Sequence, residues 1–313
     1  MKKIVYLLLA CVTVGITYAQ QDPQFTHYMY NQQVYNPAYS GARQVWNLTG
    51  LYRSQWVNIP EQPSTFTFSA NGPVKALRGG VGAHIVSDQL GQWHTVGGLL
   101  SYAFRLNISE DKAFQIGING GAYQKSIGTN WNPIDPNDPL IPTTNSSKIV
   151  PDLGAGLYYI SPTLYAGIST SHLLESKIEF VNGAATNLSR NYFLTAGYKI
   201  MINEENDFHV TPSTFIIFDG VKAQYALNAN VNYKILTAGL LYRIGSNDAV
   251  AALIGARLPN VPLRFGYSYD YTLSGLNPYS RGSHEIMLSY DFTIKSKVKK
   301  PVILRNVFGK YFN

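Results

Sequence analysis

Side chains able to do chemistry are few in this sequence, and their spacing argues against a reaction centre. Ser171-His172 is the nearest approach to a nucleophile and its base, but neighbours within one connecting segment seldom bear on a common substrate atom. His284-Glu285 are also adjacent; on a strand they point to opposite faces and share no ligand. The histidines at 27, 84, 94, 172, 209 and 284 lack metal-ligand spacing. There is no Gly-x-Ser-x-Gly, no His-Glu-x-x-His and no phosphate-binding glycine loop. No enzymatic activity, metal or cofactor is therefore expected. What does recur at regular spacing is a set of charged and amide side chains: Lys222, Asn228, Asn230, Arg264, Asp270, Glu285 and Asp291. Each falls on the polar side of an alternating segment. Arg264, Asp270, Glu285 and Asp291 belong to neighbouring segments, where such groups can pair across an antiparallel ladder. A network of this kind could hold down another part of the chain; ordinary polarity of an enclosed interior is the alternative.

The elements that position these residues are strands. In Leu263 to Thr272, Leu263, Phe265, Tyr267, Tyr269 and Tyr271 alternate with Arg264, Gly266, Ser268, Asp270 and Thr272. In His284 to Phe292 the sets are His284, Ile286, Leu288, Tyr290, Phe292 and Glu285, Met287, Ser289, Asp291. Lys222 to Lys234 does the same, with Lys222 and an asparagine row at 228, 230 and 232 on the polar side. About fourteen such segments are expected, near 44–53, 64–71, 79–87, 94–106, 112–125, 151–160, 163–171, 190–202, 207–218, 222–233, 235–243, 249–257, 262–273 and 283–294. Many are about ten residues long, which at ~3.3 Å per residue and a tilt near ~40° rise ~25 Å, the apolar height of an outer-membrane barrel. Alternation alone does not say which face looks outward. The aromatic weight (23 Tyr, 14 Phe and 4 Trp) suits interfacial girdles, and no amphipathic helices are available to cover a sheet. The expected fold is all-β: a transmembrane antiparallel barrel of about fourteen strands, with a secreted β-sandwich as the rival. Short turns after even strands, such as 160–162, 203–206 and 258–261, contrast with long connections at 126–150, 171–189 and 274–282. Asp219-Gly220 and Gly245 to Asp248 break that rule, which leaves the count open by two.

Four parts are expected: a signal peptide at 1–19, an N-terminal plug or periplasmic segment at 20–43, the barrel at 44–294 and a basic tail at 295–313. Lys2 and Lys3 precede an apolar run from Ile4 to Ile16, and Ala19/Gln20 offers a cleavage point. Leu8-Leu9-Ala10-Cys11 is faintly lipobox-like but would leave a very short apolar run. Cys11, the sole cysteine, would leave with the leader, so no disulfide or thiol chemistry remains. The formal charge of +7 is concentrated in the leader and in Lys295, Lys297, Lys299, Lys300, Arg305 and Lys310. The body between them is close to neutral, which excludes a nucleic-acid binder with a basic face. The tail reads either as a solvated end or as a docking element.

The stretch "QDPQFTHYMYNQQVYNPAYSGAR" is too aromatic for a floppy tail and poor as a strand. Asp22 can cap a helix with Pro23 in its first position; Phe25, Tyr28, Met29 and Gln32 would share one face, and Asn36-Pro37 would end it. Gly41 would allow the turn into the first strand. Such a piece must bury its aromatics, and a fourteen-strand barrel leaves room inside that wall side chains alone do not fill. A plug or lid is expected, against a mobile linker.

This stretch resembles the N-terminal signature of the PorP/SprF family of Bacteroidota outer-membrane proteins. The resemblance rests on Asp22, Pro23, Gln24, Phe25, Tyr28, Met29, Asn31, Tyr35, Asn36, Pro37, Tyr39 and Gly41. "LYRSQW", "PDLGAGLYY", "HLLE", "YFLTAGY", "GYSYDYTLSGL" and "GSHEIMLSYDF" follow in order to about residue 294; the basic extension beyond is a departure. The resemblance implies a non-enzymatic component of the type IX secretion and gliding system that docks or holds an exported surface protein, an adhesin with a C-terminal sorting domain. Its other partners would be periplasmic and outer-membrane secretion components and outer-membrane lipid. A passive channel or small-solute transporter, and a purely structural anchor, are the rivals.

Overall fold

The computed structural model describes residues 22–131, 142–180, 185–245 and 248–294. The expected leader and the basic tail, with all six of its cations, lie outside the described residues, as does part of the 126–150 connection. The strands are β1 (Trp46–Ser54), β2 (Ser64–Val74), β3 (Gly79–Leu90), β4 (Trp93–Asn107), β5 (Ala113–Ile127), β6 (Ser146–Ile160), β7 (Leu164–Ser171), β8 (Lys177–Glu179), β9 (Ala185–Asn187), β10 (Asn191–Tyr198), β11 (Ile200–Asn203), β12 (Phe208–Phe218), β13 (Ala223–Tyr233), β14 (Leu236–Ile244), β15 (Ala249–Arg257), β16 (Leu263–Thr272) and β17 (Ser283–Phe292). β10 and β11 both pair with β12 and make one stave interrupted at Lys199. All strands but β8 and β9 join one antiparallel sheet of fourteen staves. It closes on itself through β1 and β17, in register from Trp46 opposite Phe292 to Ser54 opposite His284.

The alternation sets which side of the wall each residue takes. In β13 the buried residues include Gln224, Ala226, Asn228 and Asn230, while Tyr225, Leu227, Val231 and Tyr233 are exposed. In β16 Ser268 and Asp270 are buried while Phe265 and Tyr271 are exposed. Leu100, in the middle of β4, is 72% exposed. An apolar outer surface around a polar interior is the inverse of a soluble sandwich and suits hydrocarbon surroundings. No helix among the described residues is long and apolar enough to cross a membrane; here the strands do so.

At the rim where β1 begins and β17 ends, all links are short: 75–78, 108–112, 161–163, 204–207, 234–235 and 258–262. At the opposite rim, 55–63, 128–145, 172–190 and 273–282 are longer. The short links 219–222 and 245–248 fit fourteen staves without shifting the count. The 172–190 connection contains the small β8–β9 hairpin, which the sequence did not suggest. Its Ile178 and Phe180, with Leu188, pack on Ile127 beside Trp93, Tyr123 and Val150 at the opposite-rim ends of β4, β5 and β6.

The N-terminal segment departs from expectation in its local form. Three 3-10 turns, Tyr28–Tyr30, Gln32–Val34 and Pro37–Tyr39, replace the single short helix. Asn36 opens a turn instead of closing a helix: its side chain accepts the Ala38 N–H at 2.9 Å, with Pro37 in the first position. Asn and Tyr are among the weaker helix formers. Here the side chains of Asn31, Gln33 and Tyr28 bond to the barrel wall instead of lining a helix face.

Candidate functional site

Residues 22–43 run through the lumen from the opposite-rim side to the rim at β1. Phe25, Tyr28, Ala38, Thr26 and Ser40 are fully buried. The segment is fixed at its start by a cluster of ionic groups near the opposite-rim ends of β1, β14, β16 and β17. Glu285 accepts the backbone N–H groups of Thr26 (2.9 Å) and His27 (2.7 Å), and its Oε1 lies 2.7 Å from His27 Nδ1. Arg53 donates to Glu285 (3.1 Å) and Asp270 (2.7 Å), and Arg243 donates to Asp270 (3.1 Å). The Thr26 hydroxyl donates to Asp270 at 2.8 Å and accepts from Arg53 and Arg243. One acid and two guanidinium groups thus meet at the Thr26 hydroxyl, with the second acid at the Thr26 N–H, all nearly fully buried. Buried charge persists only when paired and hydrogen-bonded, as here.

Below this cluster the plug aromatics enter sockets of inward-facing apolar side chains. Tyr28 stacks on Phe215 at 5.0 Å, with its hydroxyl 2.8 Å from Ser213. Tyr35 lies between Phe215 (4.6 Å) and Phe193 (5.3 Å), and its hydroxyl closes back on Pro23 and Phe25. Met29 packs half-buried at the edge of this cluster, and Gln24 is buried above it. Asn31 bonds to Thr67 and Ser69, and Asn36 to the Leu157 carbonyl. Tyr39 meets Tyr158 edge-on at 5.4 Å. Two wall glycines let the backbones touch: a Cβ on Gly117 would strike Ala38, and one on Gly80 would strike the Ser40 carbonyl. Gly41, at φ +68°, makes the turn toward β1. At the rim Arg43 forms a two-pronged pair with Asp291 (3.0 and 2.7 Å).

A second clasp holds Asp22. His172 Nε2 lies 2.9 Å from Asp22 and its Nδ1 3.0 Å from Asp152. Ser171 Oγ donates to Asp22 at 3.0 Å. Burial opposes charge on His172, but the Asp22 carboxylate and the hydrogen bonds to both acids outweigh it and its pKa is pushed up to about 10. The same partner holds Asp22 below its ordinary value against its own burial. Both nitrogens of His172 are engaged by acids and Ser171 bonds to Asp22, so the Ser171-His172 pair is a structural joint without nucleophile–base geometry.

The motif residues of the first stretch therefore converge on one place, the lumen. The polar set is brought together differently from the cross-ladder expectation. Arg264 lies opposite Ser289, and Glu285 opposite Ser268, so the four ionic residues do not pair with one another. Glu285 bonds to Arg53, its direct partner across the β1–β17 ladder, and Asp270 bonds to Arg53 and Arg243 on the next staves but one; Asp291 bonds to Arg43; Arg264 sits 4.5 Å over the Tyr30 ring. Asn228 and Asn230 are buried, Asn228 reaching Ser213. Lys222 is exposed in the rim turn after Asp219 and stands outside the network. Arg53, Arg243, Thr26 and His27 were missed. The inward parity of Arg53 and Arg243, lone cations in apolar segments, was the available signal.

The family described as "Type IX secretion system membrane protein PorP/SprF" matches residues 17–290, most of the chain. The chain belongs to the PorP/SprF family. Its PorP/SprF membership makes it a membrane protein of the type IX secretion system, and with the barrel it indicates the outer membrane. No curated protein matches it significantly. Among solved structures, this PorP/SprF barrel is similar to the CymD monoaromatic hydrocarbon channel, at 12% identity and TM-score 0.50 over 85% of this chain and 93% of that one. It is more remotely similar to a Pseudomonas aeruginosa FadL homologue (9%, TM-score 0.42, 79% and 89%) and to Acinetobacter baumannii outer membrane protein Omp33 (9%, 0.42, 80% and 99%). At these identities the CymD likeness is one of fold alone.

Proposed function

We propose that this barrel is a plugged, non-enzymatic docking component of type IX secretion that holds an exported surface protein at the outer membrane and does not conduct solutes. The observation that carries the reading is the lumen filled by the chain's own residues 22–43, tied by the Thr26–His27 cluster at one end and Arg43–Asp291 at the other. A solute path needs an open interior, whereas this one has aromatic and ionic anchors throughout its length. The rim bearing β1 and β17 would face the periplasm, where the tail at 295–313 would meet secretion components in a salt-sensitive way. The longer connections at 126–150 and 171–189 would face outward and meet the client, an adhesin with a C-terminal sorting domain used in gliding. The β8–β9 hairpin gives the second of these a folded shape.

Planar-bilayer recordings test this. The intact barrel should stay closed, and a chain lacking residues 21–40 should conduct. Steady solute flux through the intact barrel would sink the docking reading and favour the channel alternative. Replacing 174–189 by a short turn, which leaves Ser171 and His172 on Asp22, should then abolish co-purification of the surface protein while the barrel still forms.

A further inference from the structure

The outward wall carries a depression of about 450 Å³ on β13 to β16, close to the rim where β1 begins. Its floor is Ala238 and Ala256, and Tyr233, Ile254 and Phe265 stand around it. Register makes these neighbours: Ala238 lies opposite Ile254, and Ala256 opposite both Leu236 and Phe265. Large apolar side chains dominate the outward surface elsewhere, so two alanines in adjacent staves lower it here. On the rim above, Lys234 occupies a left-handed turn (φ 52°) and holds its ammonium 5.3 Å from the centre of the Tyr233 ring. That ring is outward-facing, which puts the cation at the edge of the depression. The Lys234 N–H donates to the Asn206 carbonyl, bringing the 204–207 turn alongside. That turn carries exposed Glu204 and Glu205, while Asp207 is shared by His209 (3.1 Å), Arg257 (3.8 Å) and Lys199 (3.9 Å).

We propose that this depression is a binding site for phosphatidylethanolamine, with one acyl chain lying over Ala238 and Ala256, the phosphate at Lys234 and the headgroup ammonium toward Glu204 and Glu205. Two features select this occupant. The depression is apolar and faces hydrocarbon, and it ends after two or three residues (~7–10 Å) at a rim that offers a cation beside carboxylates. A headgroup with both charges complements that rim; a purely anionic one would meet Glu204 and Glu205 unfavourably. The inference rests on the apolar face lying in lipid and not on the docking reading.

Native mass spectrometry of the full barrel in detergent, with added dipalmitoyl phosphatidylethanolamine, tests it. One retained lipid is expected. Ala238→Phe, which fills the depression from the lipid side, should reduce retention at least tenfold. Lys234→Ala should reduce it several-fold, with recovery in Lys234→Arg, and Leu100→Phe on the far wall should have no effect. Heat-modifiable gel mobility checks that each variant is folded, and Ala256→Leu serves if Ala238→Phe is not. Equal retention by the filled and parent barrels overturns the proposal. So does equal or stronger retention of phosphatidylglycerol, or displacement by lipid A.

Discussion

Glu285→Ala should free the plug while leaving the barrel closed. Glu285 receives three hydrogen bonds from the plug and one from Arg53. Hydrogen bonds to a charged group contribute ~1.5–3 kcal/mol each, and bonds sharing one carboxylate sum to less than their separate values. The loss also leaves Asp270, which Arg243 already uses, as the one carboxylate at Arg53; breaking a buried pair costs ~3–5 kcal/mol. These effects overlap, so ~5 kcal/mol is the working figure, or three to four powers of ten in the local opening constant at ~1.4 kcal/mol per tenfold. Ser40→Cys in a Cys11→Ala background gives one probe, since Cys11 is the sole cysteine and Ser40 is fully buried. Maleimide labelling in micelles should rise at least a hundredfold on adding Glu285→Ala. Glu285→Gln, which keeps the shape and an acceptor but not the charge, should fall between. Labelling within tenfold of the parent, with the barrel folded by gel mobility, would refute the anchoring role.

Three further outcomes are expected. His172 is raised to about 10 from an unfolded value near ~6.5, so its contribution is full below the latter and lost as pH rises through about 10. Asp22 is lowered, so its contribution holds above its ordinary value of ~3.9 and is lost as pH falls further. Spin labels at Gln24 and Leu174 should keep one distance between about pH 5 and 9; a jump near neutrality would contradict the clasp, and His172→Gln should abolish the alkaline step. Gly41→Ala places a side chain at φ +68° with its Cβ 2.8 Å from Gly80, which should destabilise the plug by at least ~1–2 kcal/mol in urea titrations. Leu100→Arg, harmless on a soluble surface, should cost ~2–4 kcal/mol in bilayer refolding if that face meets lipid.

The staves and their two faces were legible because period two and strand length are local properties. The convergence of Asp22 through Gly41 on the lumen was legible too, since aromatics next to a hollow barrel need burial. Pairing was not. Asp270 reaches Arg53 on β1 and Arg243 on β14 past one intervening stave on either side, and that meeting depends on strand order and barrel closure, which no short window of sequence contains. The local form of the plug escaped for a related reason. Its side chains bond to the wall, so tertiary contacts, and not helix propensity, set its turns. Phe193, Phe215 and Leu241 sit on otherwise polar faces, a departure that marks where the plug aromatics land.

The bond from Thr26 to Glu285 joins positions 259 apart in the chain. Its two ends belong to the plug and to the last stave of the barrel, and closing so long a loop is entropically unfavourable until much else has formed. The Thr26–His27 anchor is thus completed late: it forms only once the final stave arrives, whatever contacts the segment makes earlier with β2 to β12. A chaperone or insertase handling the barrel before that stave arrives meets a plug still untied at its Thr26–His27 end.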